Sequence, residues 1–259
     1  MMGERSPVGL HFVENGPTEG KPLVMSGSLG STLDMWQPQR SAFPGRRVIR
    51  IDHRGHGGSP VPAGPYTVAE LAGDVVALLD KLGCDQVDFI GLSLGGMIGM
   101  YLASETPQRI GRLALLSTSS GFPDKEPWLA RIDAVAVGGT EAVADAVVRN
   151  WLTPDYAAEH PDAVAWFTDM LRGTPPAGYL ACCQALRDWD HAYRLSAITA
   201  PTLAIWGTED PATPEQPHGA TIAEAIPGIR FERVAAAHLL SVERADEVNA
   251  LLTEHFAAD

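Results

Sequence analysis

Over the first half of the chain, short apolar runs alternate with segments of helical period. This is the rhythm of strands joined by helical crossovers. Candidate strands fall at residues 9–14, 22–26, 47–52, 86–91 and 112–118. Several are unbroken Val/Ile/Leu runs, which predicts burial on both faces of a parallel sheet. Between the third and fourth runs, Thr67-Val68-Ala69-Glu70 forms a capping box, whose hydroxyl and carboxylate satisfy two backbone donors left over at a helix start. Val68, Leu71, Val75, Leu78, Leu79 and Leu82 then recur at three- and four-residue spacing, and Gly83 supplies a left-handed stop.

After Ser120 the rhythm changes. Residues 122–194 show no strand pattern, only helical stretches broken by Pro127, Pro154, Pro161, Pro175 and Pro176. Four of the six tryptophans (Trp128, Trp151, Trp166 and Trp189) fall here, as suits a lid over an apolar pocket, although a lid core packed on itself would also use them. Strand and helix then resume, with strands at 201–207 and 229–234, a helix near 217–225 and a last helix over 241–256. Val242, Ala245, Val248, Leu252 and Phe256 mark the buried stripe of that last helix. The predicted architecture is α/β: a mostly parallel central sheet with flanking helices, built from residues 1–121 and 195–259, with an inserted helical cap at 122–194.

Composition narrows the partners. The formal charge is −13, and an acidic surface repels phosphate backbones and anionic lipid, so neither nucleic acid nor a membrane is expected as a partner. The most apolar stretch, residues 97–103, is far shorter than the ~20 residues that span a bilayer. Residues 1–7 lack the apolar core of a secretory signal, and Cys84, Cys182 and Cys183 have neither an even count nor metal-ligand spacing. These features point to a cytoplasmic protein without disulfides, and they leave self-association open.

The chemistry centres on Gly91-Leu92-Ser93-Leu94-Gly95, a G-x-S-x-G pattern. The bare pattern is weak, but here an apolar strand precedes it and an apolar helix follows. A sharp turn in that setting lifts the Ser93 hydroxyl clear of the sheet. It also places the Leu94 amide at a helix N-terminus, where it can stabilise an oxyanion. A serine needs a base, itself oriented by an acid, and in this architecture the chain order is Ser, acid, His. His238 follows the strand 229–234, whereas His255 ends the last helix and reads as a solvated terminus. Asp210, just past the strand 201–207, is preferred as the acid over its neighbour Glu209. The second oxyanion donor is assigned to the amide of Ser28, in the glycine-rich loop 26–31.

The run Asp52-His53-Arg54-Gly55-His56-Gly57-Gly58-Ser59 lacks the glycine spacing of a dinucleotide site and the Gly-Lys ending of a phosphate loop. It reads as a turn. No cofactor is expected, and no metal, because His53 and His56 have no third ligand near them. His11, His160, His191 and His218 show no constellation.

Together these residues resemble the α/β-hydrolase superfamily with a helical cap, and more narrowly the 3-oxoadipate enol-lactonases of the β-ketoadipate pathway. The resemblance covers nearly the whole chain. It rests on Ser26-Gly27-Ser28-Leu29-Gly30, Asp34-Met35-Trp36, the run 52–67, the elbow 91–96, Thr174-Pro175-Pro176 with Tyr179 and Ala181-Cys182-Cys183, and Asp210-Pro211-Ala212-Thr213-Pro214. The superfamily commonly carries His-Gly where Ser26-Gly27 stands here. The resemblance implies a stand-alone α/β hydrolase that opens 3-oxoadipate enol-lactone, a small-molecule lactone, with Ser93, His238 and Asp210. The substrate carboxylate calls for a local cation or donor, for which the candidates are Trp128, Arg131 and Arg187. A general carboxylesterase, a carbon–carbon bond hydrolase and a triad-retaining ligand sensor are the competing readings.

Overall fold

A computed structural model describes residues 6–257. The reading of residues 1–7 as no secretory signal falls largely on 1–5, outside the described residues. Seven strands form one sheet in the order β1-β3-β2-β4-β5-β6-β7. They are β1 (Phe12–Asn15), β2 (Pro22–Ser26), β3 (Arg47–Ile51), β4 (Val87–Leu92), β5 (Ile110–Leu116), β6 (Thr202–Gly207) and β7 (Arg230–Val234). β1 runs antiparallel to β3, and every other pairing is parallel. All residues of β4 and β6 are buried, because helices cover both faces, which explains why these strands are mostly apolar; the exception inside β4 is Asp88, which Arg46 and Lys21 pair at 2.6 and 3.1 Å.

The helix after β3, α1 (Val68–Lys81), starts at the expected capping box: the Thr67 hydroxyl accepts from the Glu70 amide and the Glu70 carboxylate accepts from the Thr67 amide. Gly83 takes φ +65 at its far end. A buried ion pair pins α1 to the turn after β3, with the Arg54 guanidinium donating two 2.6 Å bonds to Asp74. The other helices of the core are α2 (Leu94–Glu105), which follows β4, and three that come after β6 and β7. Between β5 and β6 lie α3 (Glu126–Gly138), α4 (Ala144–Arg149), α5 (Pro154–Glu159), α6 (Pro161–Arg172) and α7 (Pro176–Arg187). Pro127, Pro154, Pro161 and Pro176 sit in first turns, where a missing N–H costs nothing.

Several sequence boundaries shift. The strand expected at 9–14 begins only at Phe12, where β3 offers a partner, with Phe12 opposite Ile51. The strand expected at 112–118 ends at Leu116, because Ser117 adopts φ 37 and turns the chain toward the site. The helix near 217–225 is a wide turn over Glu215–Gly219 followed by α8 (Ala220–Ala225). The helix expected over 241–256 breaks at Arg244 (φ −123, ψ 46) into α9 (Leu240–Glu243) and α10 (Ala245–Ala257). His255 is not solvated: it is buried against Phe256, with ring centroids 4.9 Å apart, and burial pushes its pKa down to about 4. No helix among the described residues is long and apolar enough to cross a membrane.

Candidate active site

Parallel strands place the loops after β2, β4, β5, β6 and β7 at one carboxyl edge, where α/β sheets bind ligands. At the end of β4, Ser93 holds φ 54 and ψ −114, a left-handed backbone that a residue with a Cβ adopts only when its surroundings enforce it. The enforcement is visible. The Ser93 amide donates to the Leu116 carbonyl at 3.0 Å, and the Thr118 hydroxyl donates to the Ser93 carbonyl at 2.6 Å. A Cβ at Gly91 would strike the backbone of Gly95, and one at Gly95 would strike the Ser26 carbonyl. The two glycines of the motif therefore permit backbone contacts that side chains would block. The Ser93 hydroxyl makes no hydrogen bond among the described residues and lines a cavity of about 490 Å³.

The loop after β2 packs against the start of α2, with the Gly95 amide donating to the Gly27 carbonyl at 2.9 Å. Ser28 lines the cavity, and its amide points at the Met35 sulfur at 3.4 Å, a weak acceptor that a negatively charged oxygen outcompetes. Leu29, also in the cavity wall, has an amide without a partner among the described residues, a donor the sequence reading did not weigh. The Leu94 amide, in the first turn of α2, is likewise unpaired among the described residues.

Two histidines of the glycine-built turn support this loop. His53 Nε2 donates to the Gly27 carbonyl at 3.0 Å, and the Gly30 amide donates to His56 Nε2 at 2.9 Å. Asp52 accepts from the Leu33 and Gly58 amides. Burial lowers both histidine pKa values, that of His56 to about 3. A buried neutral histidine is protonated first in the unfolded chain, so the stability it lends is complete above about 6.5 and drains as pH falls toward its folded value. Urea unfolding at pH 5 should therefore show His56 and His255 each lowering stability by about 2 kcal/mol relative to neutral pH. An unchanged midpoint would contradict the neutral state of both.

The turn after β6 carries Asp210, whose side chain is wholly buried. Its Oδ1 accepts from the amides of Ala212 (2.8 Å) and Thr213 (3.2 Å), and its Oδ2 accepts from the Thr213 hydroxyl (2.7 Å). Oδ2 also lies 2.9 Å from His238 Nδ1, so His238 carries its proton on Nδ1 and turns Nε2 outward. Burial raises the Asp210 carboxyl, but the His238 imidazole and the Thr213 hydroxyl and amide outweigh it and hold the pKa below the usual range. Glu209 is exposed, and its side chain makes no contact with the imidazole among the described residues. The Leu239 amide donates to the Trp151 carbonyl at 2.8 Å, which ties the His238 loop to the inserted helices.

Ser28, Ser93 and His238 thus face one cavity, with Asp210 behind His238. Of the carboxylate-binding candidates, Trp128 and Arg131 line it, and the Arg131 guanidinium lies 4.9 Å above the Trp128 ring with no ion pair among the described residues. Arg187 does not line it. Its guanidinium forks onto the adjacent Asp188 at 2.8 and 2.6 Å, which satisfies it at the surface. The tryptophans divide: Trp128 and Trp151 face the cavity, Trp166 is exposed, and Trp189 is buried against His191. All four histidines read as isolated have neighbours: His11 contacts Asp52, His160 lies with its ring centroid 4.2 Å from that of Tyr156, His191 contacts Ser104, and His218 contacts Ser119 and lines the cavity. His218 gave no sequence signal because it lies 99 positions from that partner.

The sheet, the strained serine and the buried acid–imidazole pair define a hydrolase class, and the chain belongs to the α/β hydrolase fold family, whose profile matches residues 21–245. Within that family it is similar to 3-oxoadipate enol-lactonases. It is 34% identical to 3-oxoadipate enol-lactonase 2 of Acinetobacter baylyi over 243 residues, 93% of this chain and 91% of the relative. The crystal structure of the enol-lactonase from Burkholderia xenovorans superposes with a TM-score of 0.94 at 36% identity, covering 96% of each chain. A Variovorax paradoxus protein bearing the provisional name of a carbamate hydrolase is 35% identical over 213 residues, 79% of this chain and 80% of the relative.

Proposed function

We propose that the protein hydrolyses 3-oxoadipate enol-lactone to 3-oxoadipate, within the β-ketoadipate pathway, in the cytoplasm. One observation carries the reading. A largely apolar cavity holds a free serine hydroxyl, an imidazole locked by a buried carboxylate, and Arg131, a cation without an ion pair among the described residues. Residues 122–194 act as its cap. An enol-lactone is an activated cyclic ester with a free carboxylate, and it matches these groups one for one.

In this mechanism Ser93 Oγ attacks the ring carbonyl carbon while His238 Nε2 takes its proton. Asp210 holds the Nδ1–H tautomer and favours the imidazolium that forms. The Leu94 and Ser28 amides receive the oxyanion, each worth about 2.7–4 kcal/mol of transition-state stabilisation. His238 next protonates the leaving ring oxygen to give an enol, then activates water to cleave the acyl–Ser93 ester; the enol gives up its O–H proton as its carbon gains one, leaving the ketone of 3-oxoadipate. Arg131 over Trp128 holds the substrate carboxylate and so orients the ring.

The test is a substrate panel. Loss of enol-lactone absorbance should run at the ~10 per second typical of enzymes, with simple aryl esters at least tenfold poorer in kcat/KM. The reverse preference points to a general esterase, preferential release of ammonia from a carbamate supports the reading favoured by the Variovorax relative, and negligible turnover of every substrate points to a sensor.

A further inference from the structure

His218 is a cavity-lining histidine that the mechanism above leaves unused, and its hydrogen-bond geometry fixes which nitrogen carries the proton. Ser119 Oγ has one proton and three neighbours. It accepts from the Gly121 amide at 3.0 Å and lies 2.6 Å from the Gly121 carbonyl, which can only accept, so the hydroxyl proton goes there. The third neighbour is His218 Nδ1 at 2.8 Å. With the serine proton already placed, that contact is attractive only if Nδ1–H donates to Oγ. Nε2 then carries a lone pair, and no bond to it is formed among the described residues. Phe122, with its ring centroid 5.4 Å from that of His218, fixes the plane of the imidazole from the side. Burial lowers the His218 pKa, which keeps the ring neutral and Nε2 an acceptor at neutral pH.

Hydrolysis of a lactone differs from that of an open ester in one physical respect. The leaving oxygen stays tethered to the acyl group, and tethered nucleophiles act at effective concentrations of roughly 10⁵–10⁸ M, so ring closure competes with water. We propose that His218 is the acceptor that takes the hydroxyl released by ring opening and holds it away from the acyl–Ser93 carbonyl. The step balances. The Ser93 Oγ–carbon bond forms, the ring C–O bond breaks with its electron pair going to the ring oxygen, and the proton taken from Ser93 by His238 ends on that oxygen. The new O–H then donates to His218 Nε2, a donor–acceptor pair that exists only after ring opening. The inference rests on the lactonase reading and adds a residue to it.

The experiment compares His218→Phe and His218→Gln with wild type on three substrates: the enol-lactone, a saturated five-membered lactone and p-nitrophenyl acetate, whose leaving group diffuses away. Phe keeps the ring contact with Phe122 and removes the acceptor, whereas the Gln carbonyl oxygen restores one. His218→Phe should lower kcat on both lactones by about tenfold to a hundredfold, as for loss of one hydrogen bond to a reacting group, with KM and ester turnover within about twofold. His218→Gln should recover most of the loss, and thermal unfolding confirms that both variants fold. Equal losses on lactones and ester, or no loss on lactones, overturn the inference. A wild-type enzyme that opens the saturated lactone but leaves the enol-lactone intact overturns the substrate reading instead, and the His218 comparison still stands on the remaining pair.

Discussion

Replacing Ser93 with Ala is expected to lower kcat on the enol-lactone by roughly 10⁴–10⁶-fold while the protein stays folded. The hydroxyl makes no hydrogen bond among the described residues, so its removal leaves no buried partner unsatisfied. The strained backbone at φ 54 is held by the Leu116 and Thr118 contacts, which do not involve the side chain. His238→Ala should cost about as much, and the double variant little more than either single one, because the two groups act as a unit and the amide donors and cavity persist without them. Rates and unfolding curves for the three proteins decide it. Additive losses would mean that Ser93 and His238 act on separate steps, and the proposed mechanism would fail.

Asp210→Asn should lower kcat by about 10⁴-fold, and the structure says why a near-isosteric change is so severe. Oδ1 accepts two backbone amides, so the single oxygen of an Asn side chain is bound to occupy that position. Its NH₂ group then faces His238 Nδ1, where Oδ2 now accepts at 2.9 Å. Two donors cannot face each other, so His238 shifts its proton to Nε2 and loses the lone pair that receives the Ser93 proton. Glu209→Gln, which changes an exposed neighbour, should stay within about twofold of wild type, as surface substitutions usually do. If that variant is the damaging one, the acid has been misassigned.

The sheet was legible because strands buried on both faces are mostly apolar, as β2, β4 and β6 are, with the one buried charge among them, Asp88, paired by Arg46 and Lys21. The start of α1 was legible because a capping box is a local contact three residues long, and α1 begins where Thr67 and Glu70 place it. Boundaries slipped where tertiary partners set them: β1 waits for β3, and β5 stops where Ser117 turns. His255 was misread for a related reason, since a residue near the end of a helix is solvated by default, and it is the approach of β5, with a hydrogen bond to the Leu113 backbone, that helps bury it.

What the sequence determined by itself was local: the periodicities, the glycine-flanked serine whose surroundings need small residues, and the family that such a pattern resembles. What only the tertiary structure decided was which candidates reach the site: the Asp210 carboxylate set against His238, Arg131 over Trp128 in the cavity wall while Arg187 forks onto Asp188, and His218 in that wall beside Ser119. The physical reason is that a side chain's role follows from its hydrogen-bond partners and its burial. Those partners are 28 positions away for the Asp210–His238 pair and 99 for Ser119–His218, distances over which periodicity carries no information.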